Sequence, residues 1–141
     1  MSNSPFILLI DANHEDRGYY TQCLRTSSPE FVVLHATTGR TGLELCTQQP
    51  IDCIVLEIDL PDMSGFEVLP KLIPAGQHPE IAVIILTRNA NQYLLEAAIK
   101  NGAQAALHKS TTSGDTLGQA ILNAIATVQQ NRKRTEVRMA I

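Results

Sequence analysis

The 141-residue chain lacks any apolar run long enough to span a membrane. Its early apolar stretch, Phe6-Ile7-Leu8-Leu9-Ile10, is far short of the roughly 20 residues a helical span needs. No basic flank precedes it, as a signal peptide would require. These absences lead to the expectation of a cytoplasmic protein with no membrane partner. Cysteine is scarce: Cys23, Cys46 and Cys53 are odd in number and stand apart, with no histidine at metal-ligand spacing. They read as reduced, mostly buried small hydrophobes. The histidines His14, His35, His78 and His108 are scattered, which favours surface or loop positions over ligands. Charge of one sign is also lacking. Eleven Lys and Arg against fourteen Asp and Glu leave a net charge of −3, too mild to draw nucleic acid by bulk electrostatics. Arg132, Lys133, Arg134 and Arg138 cluster near the C-terminus, but Glu136 interrupts them. They read as a solvated helix end with cations favoured by the helix dipole. Internal repeats and long disordered linkers are absent too.

What is present alternates. Short runs rich in Ile, Val and Leu are predicted as strands at Phe6–Asp11, Phe31–Ala36, Asp52–Glu57, Ile81–Leu86 and Gln104–Leu107. Amphipathic segments between them predict helices near His14–Thr26, Gly39–Gln49, Ser64–Ile73, Asn91–Asn101 and Asp115–Arg134. Ser64 with Glu67 three residues on reads as a capping box, and Gly102 as a helix stop. Pro50 and the Pro74–Pro79 segment separate elements. Five βα units imply an α/β fold: a doubly wound, five-stranded parallel sheet of flavodoxin-like type. The 44% hydrophobic content suffices for one core. Residues 6–130 are expected to form one domain, with 1–5 as a tail and 131–141 as a helix extension or tail. A chain stopping just after a long helix also raises the expectation of a domain cut from a longer protein.

In such sheets function collects at the carboxyl ends of the strands. Asp11-Ala12-Asn13, Glu57 with Asp59, Thr87-Arg88 and His108-Lys109 fall there. Two carboxylates at adjoining strand ends can hold Mg²⁺, which prefers oxygen ligands. A lysine can neutralise a phosphoryl group and a hydroxyl can hydrogen-bond it, and phosphoryl transfer needs little more than such positioning. The same residues can equally form a structural ion pair between Asp11 and Lys109.

The chain from about Phe6 to Val128 resembles the receiver domains of response regulators (the CheY-like family). The first strand and its acidic loop, Asn13-His14-Glu15-Asp16-Arg17, carry part of the likeness. Thr37–Leu45, Ile84-Ile85-Leu86-Thr87 and Gly102–Lys109 carry more, and Leu60-Pro61-Asp62-Met63-Ser64-Gly65-Phe66-Glu67-Val68-Leu69 is the most specific block. Glu15-Asp16-Arg17 and the non-proline after Lys109 most resemble receivers in multidomain, cyanobacterial-type hybrid histidine kinases. The resemblance implies that Asp11 is an acidic metal ligand, the Asp59 carbonyl a main-chain metal ligand, and Thr87 and Lys109 the residues that follow the phosphoryl group. It also exposes departures. Glu57, four residues before Pro61, stands where the phosphate-accepting aspartate belongs. Ala12 replaces the second acidic residue, Ala106 the switch aromatic, and Ser110 the proline after the lysine. A cis bond before Ser110 would cost several kcal/mol, about 3–4, so a trans bond or a local rearrangement is expected.

These departures point to a pseudo-receiver. Glu57 is one methylene longer than aspartate and is expected to reach toward Thr87 and Lys109, carrying about one negative charge where a phosphate carries roughly −1.5 to −2. With Ala12 in place of a carboxylate, Mg²⁺ at Asp11, Glu57 and Asp59 is expected to be weak or absent, and no other cofactor is implied. The leading reading is a non-enzymatic, phosphorylation-independent module of a two-component phosphorelay. Its partners would be a histidine kinase or other signalling-protein domains, or a second copy in a homodimer. They would dock on the fourth helix, fifth strand and fifth helix, and nucleic acid is not among them. The alternatives are a working receiver, with Asp59 as the rival acceptor, and a flavodoxin-like enzyme. Against the last, Asp11, Glu15 and Asp16 would repel a flavin phosphate, and no Ser-His-Asp or Cys-His set has motif context.

Overall fold

A computed structural model describes residues 4–74 and 79–140 of the chain, so His78 and the middle of the Pro74–Pro79 connection lie outside the described residues. Five parallel strands form one sheet: β1 (Phe6–Ile10), β2 (Val32–Ala36), β3 (Cys53–Leu56), β4 (Ala82–Thr87) and β5 (Ala105–His108), in the order β2-β1-β3-β4-β5. Helices α1 (His14–Ser27), α2 (Gly39–Gln48), α3 (Gly65–Leu72), α4 (Gln92–Lys100) and α5 (Gly114–Ala140) follow the strands in turn. This is the doubly wound fold that the alternation of apolar and amphipathic segments implies.

The strands are apolar throughout because both faces of the sheet are covered. Successive side chains point to opposite faces. Ile7, Leu9, Val55, Ile84 and Leu86 therefore meet Tyr20 and Leu24 of α1 and Leu117, Ile121, Ala124 and Val128 of α5. Leu8, Ile10, Ile54, Leu56, Val83 and Ile85 face the other way, onto Val68 and Leu69 of α3 and Ala98 of α4. Strand β2 at the sheet edge has Val32 and His35 exposed.

Local chemistry sets the ends. Ser64 accepts from Phe66 N while Glu67 accepts from Ser64 N, the capping box read in the sequence. Gly102 closes α4 at φ +105°, a left-handed conformation natural to glycine. Three strand ends differ from expectation in ways that matter. Strand pairing ends at Ile10 and Leu56, so Asp11 and Glu57 stand just beyond their strands, on the loops. Thr87 lies inside β4, paired with His108. Helix α5 continues past Arg134 to Ala140 without a break, as the helix extension allowed for over 131–141, since nothing in Thr135–Ala140 is a helix stop. After Lys109 the chain makes a 3₁₀ turn over Lys109–Thr111, with all peptide bonds trans among the described residues.

Candidate functional site

The ladder aligns the carboxyl ends of the strands. Ile10 pairs with Leu56 and Glu57 N donates to Ile10 O at 3.0 Å, so Asp11 and Glu57 emerge side by side. Thr87 pairs with His108, which brings Lys109 to the same edge. The Lys109 side chain is only 6% exposed. Its ammonium donates to Asp11 Oδ2 at 2.6 Å and to Asp16 Oδ2 at 2.9 Å, and stands 3.2 Å from Glu57 Oε1. One cation is shared by three carboxylates.

Each carboxylate is also held from behind. Asp11 Oδ1 accepts from Asn13 N at 2.9 Å, and Arg17 donates to the Asp11 carbonyl at 2.7 Å. Glu57 Oε2 folds back over its own loop and accepts from Ile58 N at 2.6 Å and Asp59 N at 3.2 Å. Asp16 receives both Nε and Nη2 of Arg88, at 2.8 and 2.7 Å, in a two-pronged pair. Tyr20 fixes the loop carrying the lysine, donating to the carbonyl of Thr112 at 2.8 Å and lying 3.3 Å from that of Lys109.

The electrostatics follow. The Arg88 hydrogen bonds, joined by Lys109, outweigh burial and hold the Asp16 carboxyl at about 2. Burial alone would lower the Lys109 ammonium. Its hydrogen bonds to Asp11 and Asp16, with the charges of Asp11 and Glu57, turn the shift upward. Burial pushes the Tyr20 hydroxyl above its ordinary value.

Most of the residues singled out in the sequence meet here, and the exceptions are instructive. Asp11, Glu57 and Lys109 form the cluster. Thr87 is fully buried, with its hydroxyl accepting from Asn89 N at 3.1 Å; the Glu57 carboxylate faces the lysine and makes no hydrogen bond to the threonine among the described residues. Asp59 is exposed on the loop, with no bond from its carboxylate to the cluster. Ala12 is exposed, and Ser110 is exposed and hydrogen-bonded to the His108 ring. Ala106 is half-buried against the α4 side of the core and presents only a methyl group.

Asp16 was seen in the sequence only as part of an acidic loop, and Arg88 was noted without a role. The signal for Asp16 was the cap: Asn13 Oδ1 accepts from Asp16 N at 2.9 Å, which starts α1 immediately after β1 and turns position 16 back over the strand ends. Asp16 thus adds a third carboxylate to those of Asp11 and Glu57 around Lys109.

This donor set does not suit Mg²⁺. The ion needs several free oxygens in near-octahedral array. Here every carboxylate oxygen of Asp11, Asp16 and Glu57 already accepts from a cation or a backbone amide, or lies against one. No group of three or more His, Cys, Asp or Glu converges on a metal-sized point among the described residues.

Residues 7–122 match the family model described as the response regulator receiver domain. The chain belongs to the response regulator receiver family. The receiver is 30% identical over 142 residues to the nitrate/nitrite response regulator protein NarL of Escherichia coli strain K12, covering 92% of this chain and 66% of NarL. It is 27% identical over 113 residues to the two-component response regulator ORR5 of Oryza sativa subsp. japonica, covering 79% of this chain and 83% of that protein. Among solved structures, a response regulator receiver domain from Clostridium thermocellum superposes with a TM-score of 0.74 at 29% identity, over 93% of this chain and 98% of that one. The receiver domain of an HD domain-containing protein from Pseudomonas fluorescens Pf-5 gives 0.81 at 24% identity, over 95% and 96%, which bears on fold alone. The receiver spans just under two thirds of the length of NarL. Among the described residues no helix is long and apolar enough to cross a membrane.

Proposed function

We propose that this receiver signals without being phosphorylated, as a docking module of a two-component phosphorelay. The observation that carries the reading is the filled site: Lys109, the cation a phosphoryl group would need, is already shared by Asp11, Asp16 and Glu57. Glu57 replaces the acceptor aspartate, and its carboxylate is tied to Ile58 N and Asp59 N as well as facing the lysine. A phosphoryl group would have to displace these contacts and face the negative charges of Asp11, Asp16 and Glu57. The Thr87 hydroxyl and the Ala106 methyl supply no coupled aromatic movement. No Mg²⁺ and no other cofactor enters this reading, and the module is not itself an enzyme.

The partner is a histidine kinase or another signalling-protein domain, met in the cytoplasm on the surface of α4, β5 and α5. Tyr93 at 82%, Ile99 at 48% and Leu122 at 41% exposure give that surface apolar anchors. A second copy of the chain could use the same face. The test is the amide spectrum of the ¹⁵N-labelled protein with and without acetyl phosphate and Mg²⁺. The reading expects no change at Thr87 or Lys109 and none across α4, β5 and α5. Shifts spreading from the strand ends to that surface would show a working phosphorylation switch. Shifts centred on Asp59 would favour the rival acceptor.

A further inference from the structure

On the opposite side of α1 from the Lys109 cluster lies a groove of ≈ 620 Å³ between that helix, the edge strand β2 and the start of α2. Its volume is in the range of small-molecule sites. Basic side chains line it from two directions: His14, Arg17 and Arg25 from one stripe of α1, and His35 from β2. Hydroxyls of Thr21, Thr37 and Thr41 complete the wall, and no carboxylate is part of it. This concentration stands out in a chain whose net charge is −3.

The donors are not used up. Arg25 and His35 make no hydrogen bond or ion pair among the described residues, and neither does the Thr37 hydroxyl. Arg17 is fixed by its bond to the Asp11 carbonyl at 2.7 Å, with Nη2 3.4 Å from His14 Nδ1. Burial and then the charges of Arg17 and Arg25 lower the His35 imidazole, so the two guanidinium groups are the groove's fixed positive charges. An open concave surface with two guanidinium groups, two imidazoles and no carboxylate in its lining calls for an anion. We infer that this groove between α1 and β2 binds a multivalent phosphate anion of small-molecule size, the diphosphate of a nucleotide or free pyrophosphate. Guanidinium groups suit phosphate oxygens by their forked geometry.

Gly18 provides a test that spares the fold. It lies in the groove wall on α1, and a Cβ built there meets no heavy atom within 4 Å. Gly18→Leu therefore fills the groove from an exposed helix position where leucine is a better helix former than glycine. Calorimetric titration of the whole chain with pyrophosphate should show salt-sensitive binding. Gly18→Leu and Arg25→Glu should each weaken it about tenfold or more, the loss expected for one charge-assisted contact. The His35 imidazole, followed by NMR, should titrate at higher pH in the pyrophosphate-bound protein, because the anion offsets Arg17 and Arg25. A parallel titration with ADP separates the sources: tighter binding than pyrophosphate identifies a nucleotide, equal or weaker binding the free diphosphate. Absence of binding at millimolar pyrophosphate and low salt would overturn the inference. So would binding that both variants leave unchanged.

Discussion

Replacing Lys109 by methionine removes the ammonium and keeps most of the buried stem. In the native site the Lys109 side chain is 6% exposed and its ammonium lies within 3.2 Å of three carboxylates whose side chains are 8 to 15% exposed. Losing one partner of a buried ion pair costs about 3–5 kcal/mol. The lower end applies, because Asp16 keeps both prongs of Arg88, and Asp11 and Glu57 keep their backbone donors. A loss of about 3 kcal/mol is therefore expected, which for a domain of this size lowers the melting temperature by roughly 10 °C. Urea unfolding of both proteins at pH 7 measures it. A second readout separates charge from packing. Adding Glu57→Gln to the variant should recover about 1 kcal/mol, since it removes one uncompensated charge. A loss under about 1 kcal/mol, or no recovery with the second substitution, would refute the argument that the lysine offsets these carboxylates.

Other consequences are equally open to measurement. Asp16 has a folded pKa of about 2, below its ordinary 3.8, so its stabilisation is present above 3.8 and lost as pH falls through 2. Asp16→Asn should cost on the order of 1 kcal/mol at pH 7, since Arg88 is 64% exposed and partly screened, with the deficit vanishing near pH 2 in urea titrations. Lys109 has the opposite sign: its raised pKa gives stability that persists through neutral pH and is lost as pH climbs past the ordinary lysine value of 10.5, visible as alkaline unfolding absent from Lys109→Met. Gly65→Ala would put a Cβ 2.7 Å from the Glu57 carbonyl oxygen, and should cost about 1–3 kcal/mol while shifting the Ile58 and Asp59 amide signals. Ser64→Ala should cost about 1 kcal/mol in thermal unfolding by removing the α3 cap.

The fold was legible because its signals are local and repeated. Runs such as Ile81–Leu86 have no polar face, which only a sheet covered on both sides explains, and Ser64-x-x-Glu67 writes a helix start directly into the chain. Within the site, Asp11, Glu57 and Lys109 were legible from their places at strand ends. The direction of the Glu57 carboxylate was only half legible. The extra methylene was expected to carry it to both Thr87 and Lys109, but the nearby amides of Ile58 and Asp59 capture one oxygen and leave the other to face the lysine alone. Asp16 and Arg88 were hidden because their pairing joins residues 72 positions apart, and neither side chain shows its partner in sequence. The basic groove escaped for the same reason: His14 and His35 read as scattered histidines, and nothing in the sequence joins them to Arg17 and Arg25 until α1 is laid against β2.

The central claim is that the site filled by Glu57, Asp16 and Lys109 takes no phosphate. Intact-mass spectrometry of the wild-type protein after incubation with acetyl phosphate and Mg²⁺, beside Glu57→Asp as the variant with an acceptor restored, tests it most directly. The account predicts that the wild-type mass does not change. A wild-type protein that gains phosphate mass as readily as the variant would contradict it.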